Sequence, residues 1–150
     1  MFKPMALAAC VGAALLQGVQ AVVAESTRAG AFTIQYNAFT ADTLTPEIAR
    51  ANAIQRSKGL GVLNVSVIKD RPGAAGTSVK ALVDVDLVND KSPKGPVAMH
   101  EVEASGAVSY LGQFPIADGQ ELDFEIRVRP AGAAETTTLR LRQEFFTESP

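Results

Sequence analysis

One histidine, His100, lies between Met99 and Glu101. An imidazole titrates near neutrality, so His100 could serve as a general base or a metal ligand, or simply as a strand side chain paired with a neighbour. Zinc bound there would have to take most of its other ligands from carboxylates, an unusual set for that metal. Asp84 and Asp86 share one face of the run SVKALVDVDLV, with Asn89 and Asp90 just beyond. Oxygen-rich spacing suits calcium, but the central glycine and closing glutamate of a calcium loop are missing. The plainer reading is a solvated edge strand whose charges deter sheet-to-sheet pairing. A small metal-assisted enzyme or ligand-binding protein centred on His100, Asp84 and Asp86 is thus one functional expectation.

Glu121, Asp123 and Glu125 alternate along one run, and Arg127, Arg129, Arg140 and Arg142 follow on it and on the next. Strand pairing turns these into cross-strand ion pairs rather than a catalytic pair. A serine triad would have to recruit His100, and no Gly-x-Ser-x-Gly elbow is present. Gly59 and Gly61 follow a helical pattern instead of preceding one, the wrong end for cradling a phosphate. No cofactor motif is found, and no cofactor or metal is expected. The remaining candidates are binding groups: Tyr36, Asn37 and Phe39 on one strand, and Arg56 and Lys58 in a turn. Aromatic and arginine side chains make good interface anchors. A plainer role for the basic cluster, which includes Arg50, is compensation of a helix C-terminus.

The elements that carry these residues alternate with a period of two. In ELDFEIRVRP, Leu122, Phe124, Ile126 and Val128 alternate with charged residues, and weaker versions recur from Ala31 to Phe145. Such runs form sheets with one dry and one wet face. Glycine, proline and asparagine clusters interrupt them, and Ser105-Gly106 marks a tight hairpin. About seven short strands predict an all-β, antiparallel, immunoglobulin-like sandwich, with a small barrel as the alternative. One short helix is expected between the first two strands. Thr45 caps it, Pro46 and Glu47 open it, Ile48, Ala51 and Ile54 face the core, and Gly59 gives the left-handed stop.

The first residues, MFKPMALAACVGAALLQGVQAVVAES, combine Lys3, an apolar run and Val22-Val23-Ala24, which predicts a signal peptide over residues 1–24 with cleavage after Ala24. A retained membrane anchor and lipidation at Cys10 are the alternatives. Residues 25–150 then form a single domain without cysteine, held by its own core and not by disulfides. That domain carries 13 basic and 16 acidic residues, which argues against a nucleic-acid binder.

Tyr36-Asn37-Ala38-Phe39, Leu44-x-Pro46-Glu47-x-Ala49, Ile54-x-Arg56-Ser57-Lys58 and Leu63-Asn64-Val65-Ser66-Val67 resemble a family of small exported proteobacterial proteins classed as a domain of unknown function. Tyr110-Leu111 with Phe114-Pro115, the alternation ending at Phe124, and Gln143-x-Phe145-Phe146 extend the similarity over most of residues 32–146. The turn RPGAAGTS departs from the pattern. The resemblance implies an exported, hence periplasmic, single-domain β protein and supplies no activity. The leading expectation is a non-catalytic binding or accessory domain acting on an envelope protein or envelope component. A periplasmic folding or assembly helper that uses an edge strand is a further alternative.

Overall fold

The computed structural model describes residues 24–88 and 94–147. The segment expected to be a leader, through residue 23 and including Cys10, and residues 89–93, where a break in the alternation is expected, lie outside the described residues.

Among the described residues, ten strands form two antiparallel sheets. They are β1 (Glu25–Ala29), β2 (Phe32–Thr40), β3 (Leu60–Arg71), β4 (Ala74–Ser78), β5 (Ala81–Leu87), β6 (Gly95–Val97), β7 (Met99–Ala104), β8 (Ala107–Pro115), β9 (Gln120–Pro130) and β10 (Thr137–Phe145). A 3-10 turn (Ala41–Thr43) and one helix, α1 (Pro46–Ala51), connect β2 to β3. The first sheet runs β1-β2-β3-β8-β7, and the second β10-β9-β5-β6. One edge of β3 is shared: β8 pairs with Leu60–Val65 and β4 with Ile68–Arg71.

The alternation predicted from sequence builds the core. Ile34, Tyr36, Leu63, Val65, Val67 and Tyr110 of the first sheet meet Leu122, Phe124, Ile126, Val128, Leu139 and Leu141 of the second. Phe114 sets its ring edge-on to Phe124 and Phe145, at centroid distances of 4.9 and 5.6 Å. Each such pair adds roughly 0.5–1.5 kcal/mol beyond its buried area. Gly61, directly opposite Phe114 in the register, leaves the floor bare for that ring, since a Cβ there would come within 2.7 Å of Cζ.

The sandwich is as expected and is not a barrel, but its strand count is ten rather than about seven. The extra strands lacked a readable pattern. β1 is a polar edge strand, and β4 is Ala, Gly, Thr and Ser in the segment expected to be a turn, folded back on β3 through Gly73 at φ +71°. The run PVAMHEVEA is two strands, because the chain leaves the second sheet after Val97 and enters the first at Met99. Gly112 makes room for that crossing: a Cβ there would lie 2.5 Å from Met99 Sδ and 2.8 Å from the Ala98 carbonyl. The added β1 moves the helix to between the second and third strands. β5 is also not an edge; it lies between β9 and β6. The Ser105-Gly106 hairpin is as expected, with both residues at positive φ and Ala104 paired to Ala107.

Candidate functional site

The segment from Ala41 to Gly59 lies across the outer face of the first sheet, on the side away from the main core. Its helix starts as predicted: Ile48 N–H donates to Thr45 Oγ1 at 3.2 Å, with Pro46 at the first position. It ends earlier than expected. Ala53, at φ +57°, is the left-handed stop, and Gly59 is not. The buried face is also corrected. Ala49 and Ile54 point inward, whereas Ile48 is 49% exposed and Ala51 is exposed. Six residues are too few to present a stripe of three, so the second anchor comes from beyond the stop. Ala49 and Ile54 join Ala41, Val62 and Leu111 in a small second core, flanked by Phe39, Leu44, Leu60 and Val102.

A helix this short is unstable without tertiary support; one hydrogen-bond set ties the segment to itself and two tie it to the sheet. Arg56 donates from Nε to the Leu44 carbonyl at 2.7 Å and from a terminal nitrogen to the Asp42 carbonyl at 3.3 Å. Gln113 on β8 reads the Gln55 backbone on both sides, donating to its carbonyl at 2.8 Å and accepting from its N–H at 2.9 Å. His100 Nε2 lies 3.2 Å from the Asn52 carbonyl.

Between this strap and the sheet lies a cavity of about 180 Å³, lined by Phe39, Leu44, Ile48, Asn52, Ile54, Val62, Asn64, Ser109 and Leu111. Its walls are largely apolar, with a few polar groups. Asn64 donates from Nδ2 to Asn37 Oδ1 at 3.3 Å, while its own Oδ1 is buried and meets no protein donor. Such an acceptor costs about 1–3 kcal/mol if left unsatisfied. Ser109, half-buried on β8, also lines the cavity. Two larger hollows lie elsewhere. One, of about 430 Å³, is between the β1–β2 turn and the β9–β10 loop; the other, of about 350 Å³, is around Lys80, Glu101 and Arg129. Both are as open as this cavity and are lined largely by alanine, glycine, proline and charged residues. The smaller cavity is the one walled mainly by branched and aromatic side chains with a few polar residues among them, the usual composition of a binding pocket.

The structure brings some of the predicted site residues to this cavity and not others. Phe39 lines it, Asn37 orients Asn64, and Arg56 fixes the Leu44 rim. Lys58 is exposed near the strap's end. Tyr36 points the other way, into the main core at 6% exposure, with its hydroxyl 3.3 Å from Thr27 Oγ1, so it is not a surface aromatic. His100 and the Asp84/Asp86 pair lie on different sheets and do not form one site. His100 sits beside the strap, and Asp86 is bound to Arg127 at 2.5 Å on the second sheet. Glu101 and Glu103, which follow His100 on β7, contact Lys80. Among the described residues, no group of three His, Cys, Asp or Glu side chains could hold a metal.

Charge elsewhere does structural work. Arg142 binds Asp123 at 2.7 and 3.1 Å, and this pairing holds the Asp123 carboxyl below its ordinary range. Arg140 reaches Glu125 at 3.2 Å, so the predicted β9–β10 ion pairs are present. Tyr110 accepts from the Ala81 N–H at 2.9 Å and donates to Glu101 at 3.0 Å; burial pushes its phenol up. Glu101 in turn raises the Lys80 ammonium.

Sequence reading missed Asn64, Ser109, Val62 and Leu111. A signal was available. Val62-Leu63 and Tyr110-Leu111 put adjacent apolar residues on opposite faces of their strands, which requires both faces to be covered.

No curated protein matches the chain. A crystal structure of a DUF4426 family protein from Pseudomonas aeruginosa PAO1 superposes with a TM-score of 0.69 at 29% identity, covering 84% of this chain and 97% of that one. FetP of uropathogenic Escherichia coli strain F11, expressed recombinantly in the periplasm, is similar at a TM-score of 0.59 and 11% identity, over 86% of this chain and 98% of FetP. A copper-bound variant of FetP gives 0.57 and 12%, over 81% of this chain and 93% of the variant; at such identities the fold alone is shared. The model of the domain of unknown function DUF4426 matches residues 26–148, and the chain belongs to that family.

Proposed function

We propose that the protein is an exported, periplasmic, non-catalytic binding domain that docks a segment of an envelope protein over the strap, seating one side chain in the cavity beneath α1. The observation that carries this reading is the cavity itself, apolar-walled and open beside the half-exposed Ile48. At about 180 Å³ it is below the size of an ordinary small-molecule site, roughly 300–1,000 Å³, and suits one side chain better than a cofactor. Full burial of one apolar side chain is worth about 1.5–3 kcal/mol, the scale of a single interface anchor. The expression of the structurally similar FetP in the periplasm supports the compartment, as does the leader-like first segment.

What surrounds His100 supports the non-catalytic part of the reading. Its Nε2 is engaged by a backbone carbonyl, and the neighbouring acids face Lys80, so the imidazole has no carboxylate from its own strand to orient it. The test fills the cavity from its floor. Ser109→Phe places a ring where the partner's side chain would sit. The expected result is at least a tenfold loss in capture of the partner from detergent-solubilised envelope, with Leu82→Asp, on the outer face of the second sheet, binding as wild type. Equal capture by Ser109→Phe and wild type contradicts the proposal.

A further inference from the structure

Among the described residues, the second sheet ends one strand short of the first. β10 packs across from β2, and β1 continues the first sheet one strand further. Register places Thr27 and Ala29 of β1 beside Ile34 and Phe32, on the face of the sheet that carries the main core. That face of β1 looks onto the open side of β10. The hollow of about 430 Å³ opens at one end of this slot, between Ala29, Phe32 and Thr137. We infer that the free edge of β10 takes up one extended segment of another protein, added antiparallel as a further strand of the second sheet and facing β1.

The edge is built to pair. Its nine residues run in unbroken register with β9, and it has neither a proline nor a bulge, two devices that protect natural edges. The Asp123 carbonyl accepts from the Val88 N–H on the β5 side. Alternation then turns the backbone groups of Leu122 and Phe124, and of their partners Gln143 and Leu141, into the β9–β10 ladder. Thr138, Arg140, Arg142 and Glu144 direct theirs to the open side.

Charge and space select the occupant. Glu144 stands directly opposite Glu121, a like-charge pair that is destabilising, while Arg142 reaches back to Asp123 and Glu121. A basic residue across from Glu144 on its open side offsets that repulsion. The positions opposite the buried Leu139 and Leu141 call for apolar residues. A second copy of this chain does not fit the slot, because its β10 arrives with its own β2 and β1 stacked where β1 already stands.

The experiment uses the peptide acetyl-Lys-Val-Glu-Val-Thr-Val-Thr-Val-amide, whose lysine falls opposite Glu144 and whose glutamate falls opposite Arg142. Its control has the lysine and glutamate exchanged. Each is titrated into the isotopically labelled protein and followed by the shifts and exchange of the Arg140, Arg142 and Glu144 amides. We expect the first peptide to bind about fivefold more tightly than its control and to slow exchange of these amides. In Glu144→Lys the preference inverts. Thr138→Pro removes one open-side N–H at a position where an edge strand tolerates proline, and weakens both peptides. Absence of binding, equal binding of the two peptides, a preference that Glu144→Lys does not invert, or shifts confined to other strands overturns the inference; the strap reading is untouched by these outcomes. Sedimentation of the protein alone is expected to show a monomer. A dimer that Thr138→Pro dissociates assigns the edge to a second copy and also overturns it. The wild-type peptide comparison stands alone should either variant not fold.

Discussion

At the scale of residues, two groups of opposite design stand out. Tyr110 is fully used: its hydroxyl satisfies the Ala81 N–H where the chain passes from the first sheet to the second, and it donates to Glu101. Tyr110→Phe leaves that N–H unpaired. It is expected to cost about 1–2 kcal/mol in urea unfolding and to speed exchange of the Ala81 amide; unchanged stability would show that water replaces the phenol at no cost. The raised phenol also has a pH consequence. In the folded state Tyr110 keeps its proton beyond the ordinary value of 10.0, so an unfolded chain ionises first and stability declines as pH rises above that value. Asn64 is the contrast, a buried acceptor with no protein partner. From sequence it read as one of the wet residues of an alternating strand, and only the strap lying over it makes it a cavity residue. Tyr36 failed in the reverse sense: its aromatic character suggested a binding role at the surface, but it shares the buried face of its strand with Ile34 and Ala38.

At the scale of elements, the strap is a second, smaller unit built on the back of one sheet. Ile54 anchors it at 6% exposure. Ile54→Ala is expected to cost about 2–4 kcal/mol by cavity formation and to expose the 41–59 segment to limited proteolysis before the sandwich is cut. Cleavage spread evenly along the chain would show that the strap and sandwich unfold together. The helix start was legible because Thr45, Pro46 and Glu47 act locally. The stop was not, because Ala53 adopts a left-handed conformation imposed by tertiary contacts instead of chosen by a glycine. The β9–β10 ladder was legible because both strands alternate cleanly and their charges are complementary. Its titration follows from Asp123. A carboxyl held below 3.8 stabilises the fold fully above that value, and the contribution is lost as pH falls through the lower folded-state pKa. Asp123→Asn should therefore be destabilising at pH 7 and indistinguishable from wild type in acid well below 3.8. A difference that persists there would assign the effect to packing instead of charge.

At the scale of the whole molecule, the fold class could be read because hydrophobic alternation is repeated in every long strand. The strand count could not, because β1, β4 and β6 are short, polar or glycine-rich and owe their existence to pairing with neighbours. The division of labour between the two outer faces also emerges only in three dimensions. The second sheet carries an ion-pair lattice of Asp86, Asp123, Glu125, Arg127, Arg140 and Arg142. The first carries the strap and its cavity. The central claim is that the strap face is where the partner docks. It is tested most directly by placing a photo-crosslinking residue at Ile48, beside the cavity, or at Leu82, exposed on the opposite face, in the full chain in living cells, and mapping both ends of each crosslink. The account predicts that Ile48 captures one envelope protein and that Leu82 does not. Capture of that protein from Leu82 with none from Ile48 would contradict it.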